Sequence, residues 1–263
     1  MKLECYLRMT DRYKYHTKSK GLPWRYLTDM LPKIRLALCF LIALAGCKKD
    51  EPPEPAPVEN LPIGKSISYL ALGDSYTIGT AIGLEKAYPA QLRDSLLLRP
   101  QIDSVKIDVI ARGGWTTGNL INGMIDARPD SSYQLVSLLI GVNNQYQRRS
   151  LGEYRTQFRL LLQWSLALAA NDTGRVFVLS IPDYGVTPAG QGNATTIAME
   201  IDQFNAVNRE ITDSLGVAYY NITDISRLAA SDPALIANDG LHFSSAMHTL
   251  WVRFIHDEVY SLL

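Results

Sequence analysis

Two short segments far apart in the chain carry the residue types that serine-based nucleophilic chemistry needs. The first is Tyr69-Leu70-Ala71-Leu72-Gly73-Asp74-Ser75-Tyr76-Thr77, an apolar run that stops on Gly-Asp-Ser. The second is Asp239-Gly240-Leu241-His242, near the C-terminus. A serine hydroxyl is hardly ionised at neutral pH, so Ser75 as a nucleophile needs a base, and His242 is the candidate. Asp239 lies three residues earlier, where a tight turn brings its carboxylate to Nδ1 and fixes the tautomer. Both acidic and hydroxyl residues also have plainer readings. Ser75 would serve as a helix N-cap, and Asp239 as a turn former before Gly240, which is compatible with the catalytic role.

These residues need a scaffold that delivers them to one place. Apolar runs bounded by turn residues read as buried parallel strands at 67–72, 105–111, 135–140, 176–179 and 217–220. Between them helical patterns cover 89–98, 118–126, 151–170 and 195–215, with a last helix at 244–262. This alternation predicts an α/β fold, a flavodoxin-like three-layer α/β/α sandwich on a five-stranded parallel sheet. Open sheets of this kind gather their ligands at the carboxyl ends of the strands. There the chain places Gly73-Asp74-Ser75, then Arg112-Gly113-Gly114-Trp115-Thr116-Thr117, then Gly141-Val142-Asn143-Asn144, with Asp239–His242 before the last helix.

With these four blocks in this order, the chain resembles the SGNH hydrolases of the GDSL esterase/lipase family, over residues 66–263. The resemblance implies Ser75 as nucleophile, His242 as general base and then acid, and Asp239 as its orienting carboxylate. It implies an oxyanion hole made by the Ser75 N–H, the Gly114 N–H and the Asn143 side-chain amide, with Gly113 as the alternative to Gly114. A glycine lets the backbone approach a ligand closely, and an uncharged amide donates without being trapped in a salt bridge. Related chains often read Gly-x-Asn-Asp, where this one has Asn144, so support for that loop must come from elsewhere. Asp74 is expected to hold its loop and not to join the triad. No Gly-x-Ser-x-Gly elbow surrounds Ser75, which argues against an α/β-hydrolase.

Trp115, Tyr76, Tyr146 and Tyr184 lie near these blocks and either stack on a sugar or pack the rim. Arg148 and Arg149 attract an anionic substrate or form a solvated pair. His248 and His256 fall in the last helical pattern as packing or surface residues. No long apolar insertion suggests a lipase lid, which disfavours long-chain lipids. The expected reaction is hydrolysis of a short-acyl ester, an O-acetyl group of a glycan or similar metabolite, through an acyl-enzyme. The alternatives are an O-acyltransferase on the same site and a catalytically silent glycan-binding surface lipoprotein.

The chain has 263 residues and zero formal net charge, but residues 1–46 hold nine Lys/Arg against three Asp/Glu. The remainder is mildly acidic, which fits export and argues against nucleic acid as a partner. No Cys-x-x-Cys pair, His/Cys cluster or P-loop appears, so neither a metal nor a nucleotide cofactor is expected. Cys5, Cys39 and Cys47 all precede the body, so its fold cannot rest on an internal disulfide.

Met30 to Arg35 and the apolar run 36–45 have signal-peptide proportions, and Met30 is read as the true start. Leu44-Ala45-Gly46-Cys47 resembles the bacterial lipobox, which implies cleavage before Cys47 and a diacylglycerol on its sulfur. Residues 1–46 are thus read as leader, 47–65 as lipidated cysteine and proline-rich tether, and 66–263 as the hydrolase domain. The expected location is the cell envelope, lipid-anchored to the outer membrane, with the periplasmic and surface faces both left open. No sequence feature sets an oligomeric state.

Overall fold

The computed structural model describes residues 64–130 and 132–263. The leader, Cys47 and nearly all of the tether lie outside the described residues.

Five strands form one sheet: β1 (Lys65–Gly73), β2 (Ile102–Ala111), β3 (Leu135–Leu139), β4 (Val176–Leu179) and β5 (Ala218–Tyr220). Their order is β2-β1-β3-β4-β5 and every neighbouring pair is parallel. The central strands are apolar because helices cover both their faces. Tyr69, Leu70, Ala71 and Leu72 of β1, Leu135, Val136 and Leu138 of β3, and Val176, Phe177 and Val178 of β4 are all fully buried. The edge strands differ. β2 has only Ile102 buried, with Asp103, Ser104 and Lys106 exposed and the other positions half-buried, and it starts three residues before the stretch read from the sequence. β5 is only three half-buried residues long.

The helices are α1 (Ser75–Ile78), α2 (Tyr88–Leu97), α3 (Thr117–Ala127), α4 (Val142–Tyr146), α5 (Leu151–Leu168), α6 (Ala194–Ser214), α7 (Thr223–Ser226) and α8 (Ser245–Ser261). α2 packs with α8, while α3 packs with α5 and α5 with α6. The result is the α/β/α sandwich expected from the sequence. The five long helices fall where the periodicity puts them. α1 and α4 are single turns that begin inside the glycine-rich blocks, where no periodicity could show them.

The register levels the strand ends. Gly73 pairs across the sheet with Ala111 of β2 on one side and Leu139 of β3 on the other. Three polypeptide segments therefore leave the sheet at one height, two to four residues before Ser75, Gly114 and Asn143. A side chain at Gly73 would collide with the Thr77 side chain and the Leu139 carbonyl, so the close passage of α1 over the sheet requires glycine there. At the other end of β1, the Lys65 ammonium donates to the Leu263 carbonyl at 2.7 Å.

Candidate active site

Ser75 is the first residue of α1, with Asp74 as the N-cap. The Asp74 carboxylate accepts the Tyr76 N–H through Oδ1 at 3.1 Å, and its Oδ2 is buried without a hydrogen-bond partner. Burial pushes this carboxyl up to about 7, against the Tyr76 and Gly141 N–H groups, which favour its charged form. Asp74 thus holds the start of α1, while the carboxylate paired with His242 is that of Asp239.

The turn that carries the imidazole is tied down on every side. An antiparallel bridge joins Ile236 to Phe243, Ala237 N–H donates to the His242 carbonyl, and Ala189 N–H donates to that of Gly240. Gly240 takes the left-handed conformation at φ +70° that closes the turn. Asp239 Oδ1 accepts the N–H groups of Leu241 and His242, and Oδ2 lies 2.6 Å from His242 Nδ1. Partial burial raises the Asp239 carboxyl, but the His242 ring and the two backbone donors outweigh it and hold it below its usual value. Tyr76 meets the His242 ring edge-on with centroids 5.9 Å apart, and is itself buried against Phe243 and Trp251. This aromatic cluster fixes the orientation of the imidazole.

Opposite the imidazole are three potential donors. The Ser75 N–H opens α1 and has no carbonyl behind it. Gly114 has φ +81° and open space where a Cβ would stand, so glycine is needed there for backbone conformation and not for room. Asn143 gives one amide hydrogen to the Trp115 carbonyl at 3.0 Å, which leaves the other for a ligand.

The neighbouring amides explain how the loop manages with Asn144. The Asn144 side chain is fully buried; it accepts the Thr117 N–H at 2.9 Å and donates to the Thr117 hydroxyl at 2.7 Å. A carboxylate could accept the first of these bonds but could not donate the second, so the amide itself supplies the support. Gln147 adds a bond to the Gly114 carbonyl at 3.2 Å. Sequence reasoning gave Asn144 only a minor part in the loop and looked for its support elsewhere, whereas Asn144 itself makes the tie to Thr117; Gln147 was not singled out. Neither has a local signal, because the partners are about thirty residues upstream.

Ser75, Gly113, Gly114, Asn143 and His242 all line one cavity of about 420 Å³, with Tyr76, Thr80, Val142, Tyr146, Tyr184 and Leu241 as the rest of its wall. Asp239 lies behind His242, outside this lining. Among the described residues no hydrogen bond joins the Ser75 hydroxyl to the imidazole; such contacts are often long in unliganded sites and close on substrate binding. The arrangement offers a hydroxyl, an imidazole backed by a carboxylate, and amide donors around one point. That set suits attack on a carbonyl carbon and stabilisation of the oxyanion that results.

The other singled-out residues separate. Trp115 is half-buried with its ring against Gly123, and Tyr76 and Tyr184 are buried, whereas Tyr146 stays 67% exposed. His248 is buried and accepts the Tyr88 N–H; burial, and secondarily the nearby His242, pushes it down to about 3, so it is a neutral packing residue. His256 pairs with Arg99 and Asp257 near the C-terminal end of α8. Among the described residues no cluster of His, Cys, Asp or Glu could hold a metal.

Residues 71–250 match the model of the GDSL-like Lipase/Acylhydrolase family. The sequence itself matches no curated protein. Solved structures similar to this one include an acetylxylan esterase from Geobacillus stearothermophilus, at TM-score 0.57 and 21% identity, with 75% of this chain and 95% of that one covered. A lipase/acylhydrolase from Enterococcus faecalis aligns at TM-score 0.57 and 15% identity, over 74% and 96% of the two chains. A psychrotrophic esterase from Pseudoalteromonas sp. aligns at 0.53 and 19%, over 74% and 97%.

The buried Asp74 carboxyl leads to a stability prediction. Its folded pKa of about 7 lies above the ordinary 3.8, so between these values the native state keeps a proton that the unfolded chain releases. Stability should therefore fall as pH rises through this window, by up to about 1.4 kcal/mol per pH unit from this group. Asp74→Asn should flatten that part of the profile, whatever it does to the absolute midpoint. Thermal denaturation of both proteins from pH 4 to 8 checks this, and parallel profiles would contradict it.

Proposed function

The chain belongs to the GDSL-like lipase/acylhydrolase family and is a carboxylic ester hydrolase, and we propose that it cleaves a short-acyl ester through an acyl-enzyme on Ser75. The observation that carries this reading is the Asp239-backed His242 ring facing the same cavity as Ser75, Gly114 and Asn143. In the first half-reaction the imidazole takes the Ser75 proton as Oγ bonds to the carbonyl carbon. The carbonyl oxygen becomes an oxyanion held by the Ser75 and Gly114 N–H groups and the Asn143 amide. Its collapse breaks the ester C–O bond, and the leaving alkoxide takes its proton from the imidazolium. Water then attacks the acyl-enzyme, again giving a proton to His242. Collapse of this second oxyanion returns the proton to Ser75 Oγ and releases the carboxylic acid.

An O-acetyl group on a saccharide is the substrate we favour. The sequence holds no long apolar insertion to serve as a lid, which suits an acetyl better than a fatty acyl chain. The similar structure from Geobacillus stearothermophilus is named for acetylxylan, a substrate of this kind. We further propose that Leu44-Ala45-Gly46-Cys47 is a lipobox and that Cys47 carries the lipid that anchors the protein at the outer membrane. The sequence motif supports this. Among the described residues no helix is long and apolar enough to cross a membrane.

Ser75→Ala should abolish hydrolysis of 4-nitrophenyl esters with the fold retained, and the wild-type rate should fall steeply from acetyl to palmitoyl. Near-full activity in the variant, or a rate rising with chain length, would count against this reading. Asn143→Ala should lower kcat by roughly 10²–10³, about 3–4 kcal/mol, with little change in KM. Asn144→Ala should instead lower the thermal midpoint by loosening the Thr117 tie. A destabilised Asn143→Ala with near-normal kcat would make this residue structural. For the anchor, Cys47→Ser should move the protein expressed in a Gram-negative host out of the detergent phase on Triton X-114 partition; mass spectrometry showing no lipid on Cys47 in the wild type would refute it.

A further inference from the structure

We propose that Tyr146 selects the alcohol half of the substrate, by stacking its ring on the pyranose whose hydroxyl carries the acyl group. The inference rests on the ester-hydrolase reading above and makes the substrate class an acylated carbohydrate.

Single exposed aromatic residues are ordinary on protein surfaces. Tyr146 differs by its position. Of the aromatic residues that line the catalytic cavity, Tyr76 is 3% exposed and Tyr184 6%, so neither offers a free face, while Tyr146 is 67% exposed. Its ring is not loose. The buried Tyr184 ring backs it edge-on, with centroids 6.1 Å apart and planes at 64°. An aromatic held from one side and open on the other is a platform, and an aromatic face with its negative quadrupole suits the C–H face of a sugar.

The spacing along α4 sets which ester fits. Asn143 and Tyr146 are three residues apart, so they project from one face of that helical turn with Cβ atoms roughly 5–6 Å apart. A ring lying on Tyr146 would thus sit one short step from the oxyanion donor. In an ester made directly on a ring hydroxyl, one oxygen separates the carbonyl carbon from the ring, so both groups can be engaged at once. A long, flexible lipid alcohol has no flat face for Tyr146 to hold.

The test compares an acetylated xylo-oligosaccharide with ethyl acetate, which has no ring to stack, by following acid release. Tyr146→Ala should lower the ratio of kcat/KM for the saccharide over that for ethyl acetate by about tenfold or more, chiefly through KM. Tyr146→Phe and Tyr146→Trp, which keep a ring, should hold the ratio within about twofold of wild type. An unchanged ratio in Tyr146→Ala would overturn the proposal. A fall in Tyr146→Phe as large as in Tyr146→Ala would do so too, by pointing to the hydroxyl. A wild-type enzyme that cleaves ethyl acetate but not the saccharide refutes the platform and leaves ester hydrolysis standing. Failure on both substrates refutes the reading beneath it.

Discussion

The shared height at which β1, β2 and β3 end is the constraint on which the rest of the site depends. Parallel pairing sets Gly73 beside both Ala111 and Leu139, so the three segments that follow start from one line. Each then needs only a few residues to bring a hydroxyl, a backbone donor and a side-chain amide around one point. A register slip of one residue in β3 would turn its side chains to the opposite faces and move Asn143 with them. The fully buried faces of β1 and β3 make such a slip costly, and in this way core packing specifies the chemistry at the rim.

Above the sheet, the loops are joined by amides and not by ion pairs. Asn143 to Trp115, Asn144 to Thr117 and Gln147 to Gly114 stitch the segment after β3 to the segment after β2. Neutral bonds of this kind tie the two segments together without adding a charge of their own beside the oxyanion donors. The charged network is placed elsewhere. The buried Asp183 carboxylate pairs with Arg227, which also reaches Asp202, beneath the turn that carries Tyr184. Such a pair fixes position more than it adds stability, since desolvating both charges offsets much of their attraction.

The scaffold was legible in the sequence where burial is two-sided. β1, β3 and β4 are continuous apolar runs because both faces are covered, and the long helices show their period because one face is covered. β2 was read short because its first residues face solvent on one side, and the single turns α1 and α4 left no pattern to read. At the candidate site, the residues named from the family resemblance meet at one cavity, with Asp239 behind His242. What could not be read was which neighbours hold them. Asn144 looks like a loss of a carboxylate until its two bonds to Thr117 are seen, and Tyr146 is indistinguishable in sequence from the buried Tyr76 and Tyr184. Side-chain exposure is decided by packing between segments distant in the chain, and no local signal reports it.

The hydrogen bond from Lys65 to the carbonyl of Leu263 means that the domain's chain enters and leaves at one pole, while the cavity opens at the other. Nine residues of β1 separate them, roughly 30 Å along the strand. Polarity of this sort has a practical side. A fusion partner, a solid support or a polymer joined at Lys65 or Leu263 would stand at the pole away from the cavity and leave the mouth of the cleft clear. Bulky insoluble material could then be met face-on, with the whole length of β1 as spacer.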